Sequence, residues 1–251
     1  MAVLYVAAEA AELEPFCKRL EASRKLSWPL VYAMEGILDG RRVVLAANGA
    51  GPQLATRAVE VAVRAVAVAD LSSSALEAIV STGFCGALDP ELHEGRIVIG
   101  SAVLLADSGE TIACDMPDAT LDNAVVGLVI SQNRIANTVL EKRSLAERGA
   151  IAVEMESAGV AKHARRHGIP FYCVKVVSDR ADESFAFDLN AMRTPEGRIA
   201  RGKIGTYVLT HPHLLPHLFR LKGRADKAAK ELGEFLANCR IKPESNNAPA
   251  S

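Results

Sequence analysis

The sequence lacks the cysteine pairs from which disulfide frameworks and zinc sites are built. It contains five cysteines and six histidines. No two cysteines form a Cys-x-x-Cys motif, and no group of cysteines and histidines has the spacing of zinc ligands. An odd number of scattered thiols is typical of a reducing compartment, in which cysteine serves as a small apolar residue. We therefore expect no metal site.

An excess of positive charge is also missing. The formal net charge is −1, whereas a general nucleic-acid-binding protein shows a basic balance. No basic leader precedes the first apolar run, and no apolar run reaches the roughly 18 residues that a membrane-spanning helix requires. Together with the scattered thiols, these absences predict a cytoplasmic protein that does not bind nucleic acid.

The glycine pattern of a dinucleotide-binding fold is incomplete. Gly49 and Gly51, in the run NGAGP, follow a predicted strand, but Leu54 occupies the position of the third glycine. We therefore expect no dinucleotide, and no other cofactor is indicated. The two glycines predict either a tight turn or backbone N–H groups that approach an anion or another polar ligand.

The sequence does contain an alternation of apolar, strand-like runs with helical patterns. Strands are predicted at residues 3–8, 76–88, 95–107, 123–131, 150–153 and 171–179, and a hairpin around Asp39-Gly40 at 30–51. Helices are predicted at 12–20, 53–69, 138–148 and 154–167, and over most of the remainder to about residue 237. This pattern predicts an α/β protein with a single domain, residues 1–240, in which a mixed β-sheet is flanked by helices. We expect residues 241–251 to form a disordered tail.

Several chemically active residues lie just after predicted strands, where ligands of such sheets gather. They are Glu12, Gly49, Gly83, Glu156 and Asp179. Each has a structural alternative when it is considered alone. Glu12 suits the first turn of any helix, and the glycines suit turns.

The run VEMES places two glutamates two positions apart. On the predicted helix Glu154 and Glu156 point about 200° apart, so at least one faces a cleft, where it could accept two hydrogen bonds from a vicinal diol. The alternative is a pair of acids at a helix N-terminus. Asp179 ends a β-branched run and is a candidate general acid that Ser178 could orient.

These segments together resemble the purine nucleoside phosphorylase and nucleosidase superfamily, especially the methylthioadenosine/adenosylhomocysteine nucleosidases. The resemblance rests on Ala8-Glu9 with Glu12, NGAG at 48–51, STGFCGAL at 81–88, AVEMES at 152–157 and VVSDRAD at 176–182. It implies that Glu12 orients or deprotonates the attacking water and that Asp179 protonates the purine. Substrate contacts are implied at Gly49, Gly83, Phe84, Ile135, Glu154, Met155, Glu156 and Ser178.

The sequence departs from the nucleosidase pattern at three places. Phe84 stands where the nucleosidases carry a serine, Ile135 stands where they carry an aromatic residue for the base, and the segment from Asp107 to Ala124 is short. The region after residue 195 looks more like the hopanoid-associated phosphorylases of the same superfamily. The resemblance also implies a homo-oligomer, with a dimer favoured.

Water is favoured over phosphate as the nucleophile. The early loop AAEAAEL contains Glu9 and Glu12 but no arginine, and a carboxylate repels an incoming dianion. Glycine N–H groups, Arg57 or a neighbouring subunit could still bind phosphate. We therefore predict hydrolysis of the N-ribosidic bond of a 5′-substituted purine nucleoside, with adenine as the expected base. The alternatives are phosphorolysis of a purine nucleoside or of a hopanoid-linked adenosine, and a catalytically inactive nucleoside-binding protein.

The C-terminal region is locally basic, with nine Lys/Arg against three Asp/Glu between residues 201 and 242. Leucines at 209–221 lie near Arg220, Lys222 and Arg224. We interpret this stretch as a helix packed on the core. The alternative is a basic-rimmed apolar surface beside the 5′ side of the pocket that contacts a lipid-linked nucleoside or a membrane.

Overall fold

The computed structural model describes residues 1–69, 76–119, 122–194, 198, 200, 207 and 210–241. The strands are β1 (Ala2–Ala7), β2 (Glu21–Lys25), β3 (Tyr32–Leu38), β4 (Arg41–Ala47), β5 (Leu76–Ala87), β6 (Ile97–Leu105), β7 (Thr111–Ala113), β8 (Ala124–Ser131), β9 (Ala152–Glu154) and β10 (Phe171–Asp179). The α-helices are α1 (Ala10–Cys17), α2 (Pro52–Ala69), α3 (Val139–Ala146), α4 (Ser157–Arg166) and α5 (Leu215–Asn238). Short 3₁₀ helices lie at Asn190–Met192 and Pro212–Leu214.

The strands form one mixed sheet, as the sequence predicts. Its order is β10-β6-β8-β9-β5-β1-β4-β3-β2, with β7 on β6, and β10 also pairs with β5. Five strands, β5, β10, β6, β8 and β9, therefore close into a ring. Strand β5 pairs with β1, β9 and β10, so it brings together side chains from distant parts of the chain.

The sheet is covered on both faces, which explains why its inner strands are apolar throughout. In β1, Leu4 and Val6 face one core layer while Val3 and Tyr5 face the other. Helices α2 and α4 cover the first layer, and α1 and α5 cover the second.

Four local predictions differ from the structure. Helices were predicted over most of the chain from the end of β10 to about residue 237, but residues 180–194 form turns and one short 3₁₀ helix. Helix α4 begins at Ser157 rather than Glu154, because Glu154 ends strand β9 and Glu156 is the N-cap residue. Gly83 lies inside β5 and not after it. Strands β2 and β7 were not predicted, since β2 (EASRK) is exposed along its whole length and has no apolar alternation.

The later part of helix α5 packs on the core, where Ala228, Leu232 and Leu236 are buried in the second layer. The leucine-rich stretch itself is divided: Leu214, Leu218 and Leu221 pack on a small separate cluster, whereas Leu215 and Phe219 are exposed. Leu209 lies outside the described residues. In the part of the chain that the structure describes, no helix is long and apolar enough to cross a membrane.

The predicted tail lies almost wholly outside the described residues, which end at Ile241. Ile241 itself is buried, and its carbonyl oxygen accepts a hydrogen bond from Arg41. The boundary of the domain at residue 240 stays a prediction.

Candidate active site

Glu12 is held in place by backbone donors from two elements. Its Oε2 accepts a hydrogen bond from the N–H of Glu9 at 2.7 Å, and its Oε1 accepts one from the N–H of Phe84 in β5 at 2.8 Å. The carboxyl group is buried, and burial raises its pKa above the ordinary value although these two donors act in the opposite direction. A carboxyl group with a raised pKa, fixed on two donors, is suited to take a proton from water.

Gly83 makes room for this carboxyl group. Its φ is +111°, and a Cβ at this position would lie 2.7 Å from Glu12 Oε1. Only glycine combines this backbone angle with such a close approach. The glycine that was predicted to touch substrate therefore also positions Glu12.

Glu154 and Lys175 form a fully buried ion pair behind the cleft. Lys175 Nζ lies 2.8 Å from Glu154 Oε2 and donates to Thr82 O at 2.9 Å. Glu154 also accepts hydrogen bonds from the backbone N–H groups of Glu156 and Ser157. Burial alone would raise the pKa of Glu154, but the Lys175 ammonium and hydrogen bonds from Ser131 and from the N–H of Ser157 lower it below its ordinary value. Glu154 is therefore an ionised anchor, and its oxygens are already occupied.

Glu156 has a different environment. Its Oε1 accepts a hydrogen bond from the N–H of Gly51 at 3.0 Å, and its Oε2 lies 3.8 Å from Lys175 Nζ. Burial, together with the nearby charges of Glu154 and Glu12, raises its pKa to about 8 despite Lys175. The structure thus separates the two glutamates into an ionised anchor and a carboxyl group that retains a proton near neutral pH.

Asp179 lies at the end of β10 and is held on both oxygens. Its Oδ1 accepts a hydrogen bond from Ser178 Oγ at 2.7 Å, and its Oδ2 lies 2.5 Å from Lys142 Nζ. A Cβ on Gly86 would lie 2.9 Å from Oδ2, so this glycine admits the carboxyl group to the edge of β5.

The two candidate catalytic groups are spaced along one strand. Glu12 packs on Gly83 and Asp179 packs on Gly86, three residues further along β5. At about 3.3 Å per residue, their contact points are separated by about 10 Å. A purine nucleoside is of similar length, so one group can reach the sugar while the other reaches the base.

A polar cavity of about 660 Å³ borders this region. Its lining includes Asn133, Phe185, Phe187 and Arg193. Asn133 Oδ1 and Arg193 Nη2 both lie within about 3 Å of the position that a Cβ on Gly51 would occupy. The cavity therefore adjoins the loop that binds Glu156, and its volume falls within the range of small-molecule sites.

The remaining predicted residues are placed as follows. Gly49 has φ +115°, and its N–H donates to Ala8 O at 2.8 Å. Met155 is buried beside the two glutamates in the chain, and the side chain of Phe84 packs partly on the core. The backbone N–H and C=O of Ile135 are hydrogen-bonded to the side chain of Asn190. No described hydrogen bond joins Ile135 to Glu12, Glu156 or Asp179.

Four functional candidates were missed by the sequence reasoning. Lys175 carried a signal, since a lysine inside the buried run FYCVKVVSD needs a partner. Lys142 carried none, because LEKRSLAE reads as an ordinary surface helix. Arg193, which donates to Ala50 O at 3.1 Å, and Arg198, whose Nη2 lies 3.4 Å from Asn48 Oδ1, come from a segment without a motif.

Comparison with known proteins gives a consistent picture. The sequence model of the phosphorylase superfamily matches residues 3–201. A 5′-methylthioadenosine/S-adenosylhomocysteine nucleosidase of Staphylococcus aureus (strain JH9) is 27% identical over 173 residues, which cover 59% of this chain and 72% of that protein.

Solved structures with this fold cover almost the whole chain. The 5′-methylthioadenosine/S-adenosylhomocysteine nucleosidase from Neisseria meningitidis, in complex with methylthio-immucillin-A, superposes with a TM-score of 0.67 at 23% identity, over 94% of this chain and 97% of that one. The futalosine hydrolase of Helicobacter pylori strain 26695 gives a TM-score of 0.66 at 16% identity, over 95% and 96% of the two chains. At these identities the likeness is one of fold.

Proposed function

The chain belongs to the phosphorylase superfamily, and from this premise we propose that it hydrolyses the N-ribosidic bond of a purine nucleoside and releases the base. The observation that carries the proposal is the arrangement along β5. Glu12, a buried carboxyl group with a raised pKa, packs on Gly83, and Asp179 packs on Gly86, about 10 Å further along the strand at the usual rise per residue. Glu156 is buried nearby, and burial, with the charges of Glu154 and Glu12 adding to it, raises its pKa.

The ribose is assigned to Glu156. Its carboxyl group is buried next to the N–H of Gly51, and a carboxyl group can exchange hydrogen bonds with both hydroxyls of a vicinal diol. Because the pKa of Glu156 is about 8, the group can donate as well as accept near neutral pH. Glu154 serves this residue indirectly, by neutralising Lys175 and binding the N–H of Glu156.

The chemical step needs an acid that protonates the purine and a general base that accepts a proton from the attacking water. Cleavage of a glycosidic C–N bond passes through an oxocarbenium-like state, in which the purine leaves with the bonding electron pair. Asp179 would protonate the purine at N7, so that the base leaves neutral. Glu12 would accept the proton of the attacking water, which is the role its raised pKa favours.

Relatives suggest finer assignments. We propose an adenine nucleoside with a 5′-substituent, because the name of the S. aureus relative and those of structural neighbours specify such substrates. Ile135 stands where the nucleosidases carry an aromatic residue for the base. Phe185 and Phe187, which line the cavity, could provide aromatic surface in its place. We also propose a homodimer, to be checked by light scattering, and a cytoplasmic location, which the five free cysteines favour.

Phosphorolysis is the second candidate, and two arginines favour it. Arg193 and Arg198 both contact the loop that contains Gly49 and Gly51, and their guanidinium groups could bind a dianion there. Arg57, the cation that the sequence suggested, is exposed on α2. Hydrolysis remains the stronger proposal, because the ionised form of Glu12, which would accept the proton of water, would repel a dianion in the same region.

The proposal is tested by measuring free base after incubation with ribonucleosides of adenine and hypoxanthine and with their 2′-deoxy counterparts. We expect base release from adenine ribonucleosides. The variant Glu156→Gln should raise KM and lower kcat for the ribonucleoside more than for the 2′-deoxynucleoside. Absence of base release from every nucleoside would overturn the function, and equal losses for both sugars would overturn the role of Glu156.

A further inference from the structure

Lys142 is a buried lysine in contact with the proposed general acid. Its side chain is 1% exposed, and its Nζ lies 2.5 Å from both Asp179 Oδ2 and Arg180 O. The ammonium also lies 5.6 Å from the centre of the Phe185 ring. Its neighbours in the chain, Glu141 and Arg143, are partly or fully exposed, so α3 turns a single charged residue inward.

The ion pair raises a chemical question about the reaction. Asp179 accepts hydrogen bonds on both oxygens, from Ser178 and from Lys142, so neither oxygen offers a proton of its own in this geometry. A general acid must carry a proton when the leaving group departs. Lys142 and the Ser178 hydroxyl are the donors that the described residues bring to this carboxylate, and of the two only an ammonium is acidic enough to yield its proton.

We propose that Lys142 supplies the proton that Asp179 delivers to the leaving base. This proposal rests on the proposed function. One proton passes from the Lys142 ammonium to the Asp179 carboxylate and from there to purine N7, while the C1′–N9 bond breaks and its electron pair goes to the purine ring. Lys142 becomes a neutral amine, Asp179 returns to a carboxylate, and the base leaves neutral. The proton that Glu12 takes from water balances the one that Lys142 later regains from solvent.

Other charged groups around Lys142 are already paired. Asp182 is bound by Arg180, whose hydrogen bonds hold the pKa of Asp182 below its ordinary value. Glu183 is bound by Arg224 of α5, which lowers the pKa of Glu183 although partial burial raises it. Lys142 adds to the lowering at both residues from a distance. Its direct carboxylate partner among the described residues is therefore the general acid alone.

Two substitutions separate proton supply from simple positioning. Lys142→Met keeps the apolar stem but removes the charge and the proton. Lys142→Arg keeps the charge, but a guanidinium does not give up a proton in this pH range. Both variants and the wild type are assayed for base release from pH 5.5 to 8.5. The ratio of variant to wild-type kcat/KM at each pH cancels the titration of Glu12 and Glu156.

We expect both variants to lose about 100-fold or more at pH 7.5, the range of a general-acid contribution. The Met variant should recover activity as the pH is lowered, because the reaction can then draw the proton from solvent. The Arg variant should not recover, because its guanidinium still occupies the place of the ammonium at Asp179 and yields no proton. Lys222→Met, at a lysine that is 70% exposed, is the matched control and should retain wild-type activity.

An Arg variant within threefold of the wild type would overturn the proposal, since a cation alone would then suffice. A Met variant whose deficit is independent of pH would also overturn it. The double variant Lys142→Met/Asp179→Asn, which removes both charges, checks by thermal unfolding that the site still folds. A wild type that releases no base from any nucleoside would overturn the proposed function, and this proposal with it.

Discussion

Asp179 accepts a hydrogen bond on each carboxylate oxygen. Exchange for asparagine removes one of these two acceptor oxygens and also the carboxyl group that could pass a proton to the purine. We expect Asp179→Asn to remain folded, since Lys142 keeps its contact with Arg180 O, and to lose base release. The loss should exceed tenfold, which corresponds to more than about 1.4 kcal/mol of transition-state stabilisation.

The matched control for this substitution is Asp182→Asn. Asp182 is two-thirds exposed and pairs with Arg180 at the surface, so its loss should leave kcat/KM nearly unchanged. Steady-state assays of both variants, with melting temperatures measured alongside, check the prediction. Retention of more than a tenth of wild-type turnover by Asp179→Asn would remove Asp179 from the mechanism.

Glu156 makes stability depend on pH in a predictable direction. Its pKa in the folded protein is about 8, against an ordinary value of 4.5. Between these values the folded protein holds a proton that the unfolded chain has lost, so this contribution to the free energy of unfolding falls as the pH rises. Glutamine resembles the protonated acid and does not titrate. The melting temperature of Glu156→Gln, relative to the wild type, should therefore be higher at pH 9 than at pH 5.5.

Glu154→Gln is the control for the sign of this effect. The pKa of Glu154 is lowered by Lys175 against the effect of burial, so its contribution to stability is present above the ordinary pKa and lost below it. This variant leaves a buried ammonium without its ionised partner and should melt below the wild type at both pH values. Thermal unfolding at pH 5.5 and 9 measures both variants. A pH-independent difference for Glu156→Gln would contradict the raised pKa.

At the scale of elements, strand β5 acts through its glycines. A Cβ on Gly83 would lie 2.7 Å from Glu12 Oε1, at a φ of +111° that side chains rarely adopt. Gly83→Ala should displace Glu12, lower kcat by at least about 100-fold and lower the melting temperature. Gly109 is the control, because its φ is +71° and a Cβ added there would have no atom within 4 Å. Gly109→Ala should therefore lose a little stability and no activity. Equal activity losses in both variants would mean that backbone strain, and not the contact with Glu12, is responsible.

Buried elements could be predicted from the sequence, and elements fixed by partners could not. The apolar runs of β1, β5 and β10 and the Asp39-Gly40 turn predict their elements because burial and turn geometry are local constraints. Strand β2 exists because it pairs with β3, which its own charged sequence does not reveal. Helix α4 begins three residues later than predicted, because Glu154 pairs with Lys175 as part of β9.

The same distinction applies to the site. The residues that carry the family resemblance, Glu12, Glu156 and Asp179, could be named from their motifs, although their catalytic roles stay proposals. The sequence did not show which lysines lie beside these carboxyl groups, namely Lys175 near Glu156 and Lys142 beside Asp179. Lys142 is 37 positions from Asp179 in the chain, and only the packing of α3 over the end of β10 brings them together.

At the scale of the whole molecule, the ring of five strands explains how distant segments build one site. Strand β5 pairs with three strands that lead to the site. Strand β1 precedes Glu12, β9 ends at Glu154 just before Glu156, and β10 ends at Asp179. The cleft therefore combines the carboxyl groups that we propose for water and ribose with two arginines beside the Gly49–Gly51 loop. Which nucleophile this balance admits is the central question about the molecule.

The sugar product formed in phosphate-free buffer decides that question. The wild type is incubated with an adenine nucleoside in the absence and presence of phosphate, and the base and sugar are identified by chromatography and mass spectrometry. We expect adenine and the free sugar at the same rate in both buffers, because Glu12 activates water and its charge opposes a dianion. A strict requirement for phosphate, with a sugar 1-phosphate as the product, would contradict hydrolysis and assign Arg193 and Arg198 to phosphate binding.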